Sequence, residues 1–523
     1  MKEVIMTKKA SKLNLFGFFT LTASMLMSAD EYPAFAQSGL LAVCYLVLAG
    51  VFWFLPVALC SAEMATIDGN TQGGVFAWVK NSLGTRWGFL AVFFQWLQIT
   101  VNFITMIYFI IGALSYVLNF PALNHNPLIK WAAFLVIYWV MTFIQLGGVA
   151  KTDKLVSISF MIGIILPSVI LLIMGIMYVL KTGHVQFDVS LTDNVHTLAT
   201  NFSIGTIVPY ILAFTGIEAS ASYINDLDRP SRNYPLCMII LVGFAILVDS
   251  LGGLSVAAVI PANHLTLNQG VIQAVAQMMK VTFPAIQWGV RVIGILMALG
   301  MLGEISSWII GPVKSLFVTA EDGILPHYFM HVNHDGVPVR LIMVQGIVVT
   351  LISGFLTVVL KGSNDAYQMA MALTVMLYIV TYILIFVAYI HQEKNAPQIK
   401  RGFQIPGGKV FRYVVASIGL VTSVVVLGST FIPSTSIKTI SPHLYTLLMV
   451  LFFVVVIGIT ELIYEVGIHR HKKPTYNFTI RHRRPEEVDK HVFLKGRYEH
   501  VLQHVEKDVS KKFDQEEKKF EKR

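Results

Sequence analysis

Charge is scarce in this chain. Asp, Glu, Lys and Arg make up 13% of its 523 residues, about half the share of an ordinary soluble protein, while 55% of residues are apolar. That balance excludes a soluble globular domain of this length. Cysteine is scarcer still. Cys44, Cys60 and Cys237 lie in or beside apolar runs with no recognisable spacing, which predicts neither a disulfide framework nor a metal site. No Walker A sequence occurs, which disfavours an ATP-driven pump. Gly407-Gly408-Lys409 has the wrong spacing and no Ser or Thr after the lysine, so it reads as a tight turn. The apolar runs carry neither His-Glu-x-x-His nor Gly-x-Gly-Asp, which argues against an intramembrane enzyme, and nothing in the motifs predicts a cofactor. The net charge of +9 does not point to nucleic acid, because the segment from Gly467 onward supplies +6 of it beside the membrane.

What is present is long apolar sequence. Twelve stretches can span a bilayer: 13–36, 40–66, 87–118, 129–149, 156–180, 201–225, 235–260, 285–318, 339–360, 366–390, 411–432 and 442–465. The expectation is an all-α membrane protein with one helical domain over 13–465. A cytoplasmic N-tail (1–12) precedes it and a basic, histidine-containing C-terminal tail (466–523) follows. Asp30, Glu31 and Pro33 in the first run, with more spans behind it, argue against a cleaved signal peptide. With the N-terminus inside, 33 of the 39 Lys and Arg fall in inner segments and five in outer loops. This asymmetry predicts that both termini are cytoplasmic.

Glu218 stands in the middle of the sixth stretch, inside Phe214-Thr215-Gly216-Ile217-Glu218-Ala219-Ser220. A carboxylate at bilayer depth costs about 2.5–3.5 kcal/mol and normally serves a cavity or a partner. Gly216 and its small neighbours let the helix break there. A matching interruption falls in the first stretch, around Ala23-Ser24-Met25-Leu26-Met27-Ser28-Ala29-Asp30. Interruptions at corresponding places in two five-helix halves (about 13–180 and 201–390) point to a midplane binding site in a secondary transporter. Unwound backbone at Met25, Leu26, Met27 and Ser28, and at Gly216, Ile217 and Glu218, would hold the α-amino and α-carboxylate groups of a small zwitterion.

In the eighth stretch Glu304 and Trp308 share a helix face by their i,i+4 spacing, as do Tyr378 and Tyr382 in the tenth, one turn beyond Thr374. Aromatic faces and phenols suit a substrate with an ammonium group and a methylene chain. Each tyrosine could equally be a packing residue, and Glu304 could pair structurally with another helix. Glu63 reads as a packing residue, Glu461 and Glu465 as water-boundary residues, and Asp249 with Arg291 as a pair that could meet across helices. Six histidines lie in the tail, His469, His471, His482, His491, His500 and His504. Protonation near pH 6.5 would add charge to that segment. A pH-gated element and a solvated, lipid-facing tail both fit.

These residues resemble the amino acid–polyamine–organocation superfamily and, within it, the bacterial glutamate/GABA antiporters. The likeness rests on Leu15-Phe16-Gly17-Phe18-Phe19, Cys60-Ser61-Ala62-Glu63-Met64-Ala65-Thr66, Gly73-Gly74-Val75-Phe76-Ala77-Trp78-Val79 and Gly216-Ile217-Glu218-Ala219-Ser220-Ala221. It continues through Glu304-Ile305-Ser306-Ser307-Trp308 to Ile405-Pro406-Gly407-Gly408-Lys409. The resemblance implies a twelve-helix, five-plus-five inverted-repeat fold with helices one and six unwound. It implies exchange of an extracellular amino acid for the amine left by its decarboxylation, hence coupling to a cytoplasmic decarboxylase, in the inner membrane of an acid-resistant bacterium. It implies substrate contact or gating at Glu218, Glu304, Trp308, Tyr378 and Tyr382. It also implies a C-terminal plug around His491-Val492-Phe493-Leu494-Lys495-Gly496-Arg497, with His491 and Arg497 matching and His500 just beyond. Asp30 departs from the pattern, which has an aromatic residue there. An added carboxylate near the site favours an amine-rich or protonated substrate. Tyrosine/tyramine and histidine/histamine exchange stay open, as does an amino acid sensor built on a transporter scaffold.

Overall fold

Ten of the twelve apolar stretches are continuous helices long enough to cross a bilayer, and the first and sixth are not. The computed structural model describes residues 13–67, 70, 74–147, 161–201, 203–334, 336–437 and 439–471. In chain order the helices are α1 (Leu15–Leu26), α2 (Tyr32–Ala36), α3 (Leu41–Ala65), α4 (Gly74–Leu83), α5 (Thr85–Val117) and α6 (Pro127–Gln145). They continue with α7 (Met161–Thr182), α8 (Leu191–Asn201), α9 (Val208–Leu212), α10 (Pro230–Ala257) and α11 (Gly270–Thr282). The last five are α12 (Gly289–Glu321), α13 (Val339–Val359), α14 (Asn364–Asn395), α15 (Gly408–Ser429) and α16 (Pro442–His471). Among the described residues there are no strands, only two isolated bridges.

The core lies around α5 and α14, whose apolar windows are 89% and 83% buried. α5 packs along α12 and α14. α16, by contrast, is 17% buried and exposes Leu447, Leu451, Val454 and Leu462. In hydrocarbon that exposure carries no penalty, because lipid tails are as apolar as leucine. Close packing inside therefore depends on small residues. Gly163 of α7 and Gly300 of α12 touch backbone to backbone: a Cβ on Gly163 would stand 2.1 Å from the Gly300 Cα.

Local chemistry shapes the helices. Pro56 has no N–H to give, and the turn before it widens over Gly50–Phe54, where the Leu55 N–H reaches back to the Gly50 carbonyl. Gly407 and Gly408, the turn expected from the sequence, both have positive φ and lead directly into α15. The last helix runs on to His471, so the boundary expected at 465 moves outward along a continuous helix. Among the described residues, four short helices in connecting segments did not figure in the apolar pattern: Ala122–His125, α4, α8 and α11.

At one end of the bundle, charge ties the connections to the helices. The buried Glu63 carboxylate accepts from Arg401 Nη1 at 2.6 Å, the Tyr389 hydroxyl at 2.8 Å and the Ile405 N–H at 3.0 Å. Arg401 also pairs with Glu393, which pairs with Arg412 at 2.8 Å. Thr66 adds a carbonyl for the Gly402 N–H and a hydroxyl for the Phe403 N–H, both at 3.0 Å. Glu63 is thus the packing residue its sequence context suggested. The Asp249–Arg291 pair does not form. Arg291 is exposed on α12, and the buried Asp249 Oδ2 has no hydrogen-bond partner among the described residues.

Candidate functional site

The first predicted span stops being a helix at Leu26. Met27 and Ser28 adopt extended conformations (φ/ψ −94°/124° and −137°/135°), and the chain re-forms a short turn over Ala29–Glu31 before α2. The sixth breaks after α9. Turns run from Ala213 to Gly216, and a tighter 3₁₀ segment covers Ile217–Asp226. Gly216 makes this break: its φ of +107° is one that side chains disfavour. A methyl there would also stand 3.2 Å from the Met25 carbonyl oxygen and 3.1 Å from the Trp308 ring. The two interruptions therefore face each other. Irregular backbone at bilayer depth is tolerated only where protein or a cavity satisfies it.

Both conditions hold here. The Gly216 N–H donates to the Tyr382 hydroxyl oxygen at 2.8 Å. Tyr382 in turn donates to Glu218 Oε2 at 2.5 Å, while Glu218 Oε1 accepts from Gln95 Nε2 at 2.9 Å and from the Tyr378 hydroxyl. This buried carboxylate fastens the broken helix to α5 and α14. The i,i+4 tyrosines converge on it, their rings 4.9 Å apart.

Beside the breaks is a small cavity, of about 20 Å³. Met25, Leu26, Ser28 and Asp30 line it from the first break, Leu212 and Thr215 from the second, Glu304 and Trp308 from α12, and Tyr378 from α14. The cavity sits near the midpoint of α5, since Gln98 and Asn102 line it from the middle of Thr85–Val117. Ser28 bridges the walls by donating to Glu304 Oε2 at 3.1 Å. Asp30 is buried, and the Tyr367 hydroxyl reaches its carbonyl at 3.1 Å and its Oδ2 at 3.3 Å. With Glu31 the wall holds three carboxyl groups, and its lining includes no Lys, Arg or His.

Of the expected site residues, Met25, Leu26, Ser28, Asp30, Glu304, Trp308 and Tyr378 line the cavity. Met27, Gly216, Ile217, Glu218 and Tyr382 do not. Of these, Gly216, Glu218 and Tyr382 connect to the lining residue Tyr378 through the hydrogen bonds just described. His491, Arg497 and His500 lie outside the described residues. Sequence reasoning missed Gln95, Gln98 and Asn102. Their i, i+3, i+7 spacing on an otherwise apolar helix was the available signal.

Comparison with known proteins decides the family. A family model described as amino acid permease matches residues 13–455. The chain belongs to the amino acid permease family. This permease is 44% identical over 507 residues to a glutamate/gamma-aminobutyrate antiporter of Lactococcus lactis subsp. lactis strain IL1403, covering 96% of this chain and 99% of that one. The counterpart from L. lactis subsp. cremoris strain MG1363 is 44% identical over 511 residues, with the same coverage. A probable agmatine/putrescine antiporter of strain IL1403 is 23% identical over 433 residues, covering 81% of the permease and 88% of the relative. The permease is thus a multi-pass membrane transporter, and its cavity is concave, partly aromatic and equipped with a few polar groups, as small-molecule sites are.

Proposed function

We propose that the permease exchanges extracellular glutamate for cytoplasmic GABA by alternating access. The observation that carries this reading is the cavity between two facing helix breaks, in a chain aligned nearly end to end with two glutamate/GABA antiporters. The unwound backbone around Met25–Ser28 and Gly216–Glu218 would take the ammonium and carboxylate of an amino acid. Trp308 and Tyr378 would flank its side chain. Glu218 and Tyr382 would act from outside the lining, holding the second break in its unwound form.

In this reading the interrupted helices bring the crossings to twelve, arranged as two inverted five-helix repeats plus two, in a bacterial inner membrane with both termini cytoplasmic. The opposing gradients of the two solutes drive the cycle. If a cytoplasmic decarboxylase consumes a proton in making the amine, export of that amine completes a proton-removing loop that serves acid resistance. The tail containing His491, Arg497 and His500 would close the cytoplasmic side until the pH falls.

Proteoliposomes loaded with GABA should take up labelled glutamate added outside at pH 5 to 7, and uptake should stop when the internal amine is omitted. Uptake independent of internal amine would rule out obligatory exchange. A second reading, exchange of amine-rich substrates, is favoured by the three carboxyl groups on the cavity wall and by the agmatine/putrescine relative. A competition panel of glutamate, tyrosine, histidine, agmatine and their amines against one labelled substrate separates the two.

A further inference from the structure

A second cavity, of about 90 Å³, lies along the same helices as the first. Ala34, one turn past Asp30, is on its wall. So is Ala372, six residues before Tyr378 on α14, which places the chamber about 9 Å along the helix from the central site. With the N-terminus inside, as proposed above, that direction is outward. The far wall is the connection between α15 and α16, where Ser434 and Ser436 line the space with their hydroxyls 3.3 Å apart. That connection is held in place by Asp365 at the start of α14, which accepts from the Thr439 N–H at 2.5 Å and from the Ile440 N–H at 3.3 Å.

The two cavities differ in charge. The central wall carries Asp30, Glu31 and Glu304, whereas none of the described residues lining the outer chamber is Asp, Glu, Lys, Arg or His. Its polar groups are amides and hydroxyls. Gln368 Nε2 meets Gln37 Oε1 at 3.4 Å, a long contact that leaves both amides with spare capacity. Tyr210, on the chamber wall, is fully buried, yet its hydroxyl has no hydrogen-bond partner among the described residues. Ser38, its neighbour on that wall, brings a second hydroxyl beside it.

We propose that this chamber is a second binding site on the outer side of the central cavity, taking a small polar solute without net charge, such as a zwitterionic amino acid. Neutral dipoles can pair with both ends of a zwitterion but cannot compensate a net charge taken out of water. The chamber's outward placement rests on the orientation proposed above.

The test places a thiol on the wall, Ser436→Cys, in a chain carrying Cys44→Ser and Trp308→Ala, so that the central site is disabled. In the purified protein, the rate of modification by a small methanethiosulfonate reagent is read with and without L-glutamine, a neutral zwitterion. Glutamine at about ten times its dissociation constant should slow modification roughly tenfold, as occupancy dictates. L-lysine and succinate, which carry net charge at pH 7, should leave the rate unchanged. Thr206→Trp, which fills the chamber, should remove the glutamine effect while the protein still melts cooperatively.

No protection by glutamine, equal protection by the charged probes, or a thiol that never reacts would each overturn the proposal. Protection without exchange in proteoliposomes would keep the chamber and sink the transport reading. Exchange without protection would do the reverse.

Discussion

At the scale of single residues, the chemistry is concentrated in buried carboxylates that accept several hydrogen bonds each. Glu218 accepts from Gln95, Tyr378 and Tyr382, and Glu63 from Arg401, Tyr389 and the Ile405 N–H. That Glu218 would need buried partners was legible in the sequence, because a lone carboxylate at bilayer depth demands them. Its role was not, because sequence cannot say which side of the helix faces the hollow. Glu218→Gln keeps the shape but turns an amide N–H₂ toward a phenol, and Glu218→Ala strands three donors. Leaving buried donors unpaired costs about 1–3 kcal/mol. Glu218→Gln should therefore lower exchange in proteoliposomes with near-normal folded yield, while Glu218→Ala should also lower the melting temperature in detergent. Equal exchange by wild type and Glu218→Gln would show that a charged acceptor is not needed there. Arg401→Ala would leave the buried Glu63 and Glu393 carboxylates without their shared cation, a loss of about 3–5 kcal/mol. Thermal unfolding should fall sharply for Arg401→Ala and less for Arg401→Lys, which keeps the charge but not the fork.

Among the elements, the ten unbroken spans follow from length and apolarity alone, because a bilayer leaves a backbone few options besides the helix. The breaks were legible as interruptions around Ser24–Ala29 and Gly216. Their positions are set by detail: Met27 and Ser28 extend, and Gly216 turns left-handed against Met25 and Trp308. Gly216→Ala combines an unfavourable φ with contacts near 3.1–3.2 Å, a strain of about 1–3 kcal/mol. It should weaken substrate binding and lower the melting temperature together, measured by equilibrium binding and thermal unfolding of the same preparation. The polar stripe Gln95, Gln98, Asn102 went unread because each residue alone resembles ordinary helix packing. Only the face they share with Glu218 and the cavity gives them meaning.

For the whole molecule, the proposed tail gate makes the sharpest prediction. Truncation before Arg481 should permit exchange at neutral pH, and an unchanged pH profile of uptake would defeat the gate. By itself the sequence determined that this is a helical membrane protein, where its ten continuous spans run, that two further apolar stretches contain breaks, and which family the chain belongs to. Each of these follows from local quantities: apolar length, the cost of a buried carboxylate and motif order. The tertiary structure decided which residues share a cavity. It placed Asp30, Glu304, Trp308 and Tyr378 around one cavity, joined Glu218 to Tyr378 and Tyr382 outside its lining, and left Asp249 and Arg291 apart. These outcomes depend on how helices distant in sequence rotate and pack against one another, and no periodicity within one helix fixes the rotation of its neighbour.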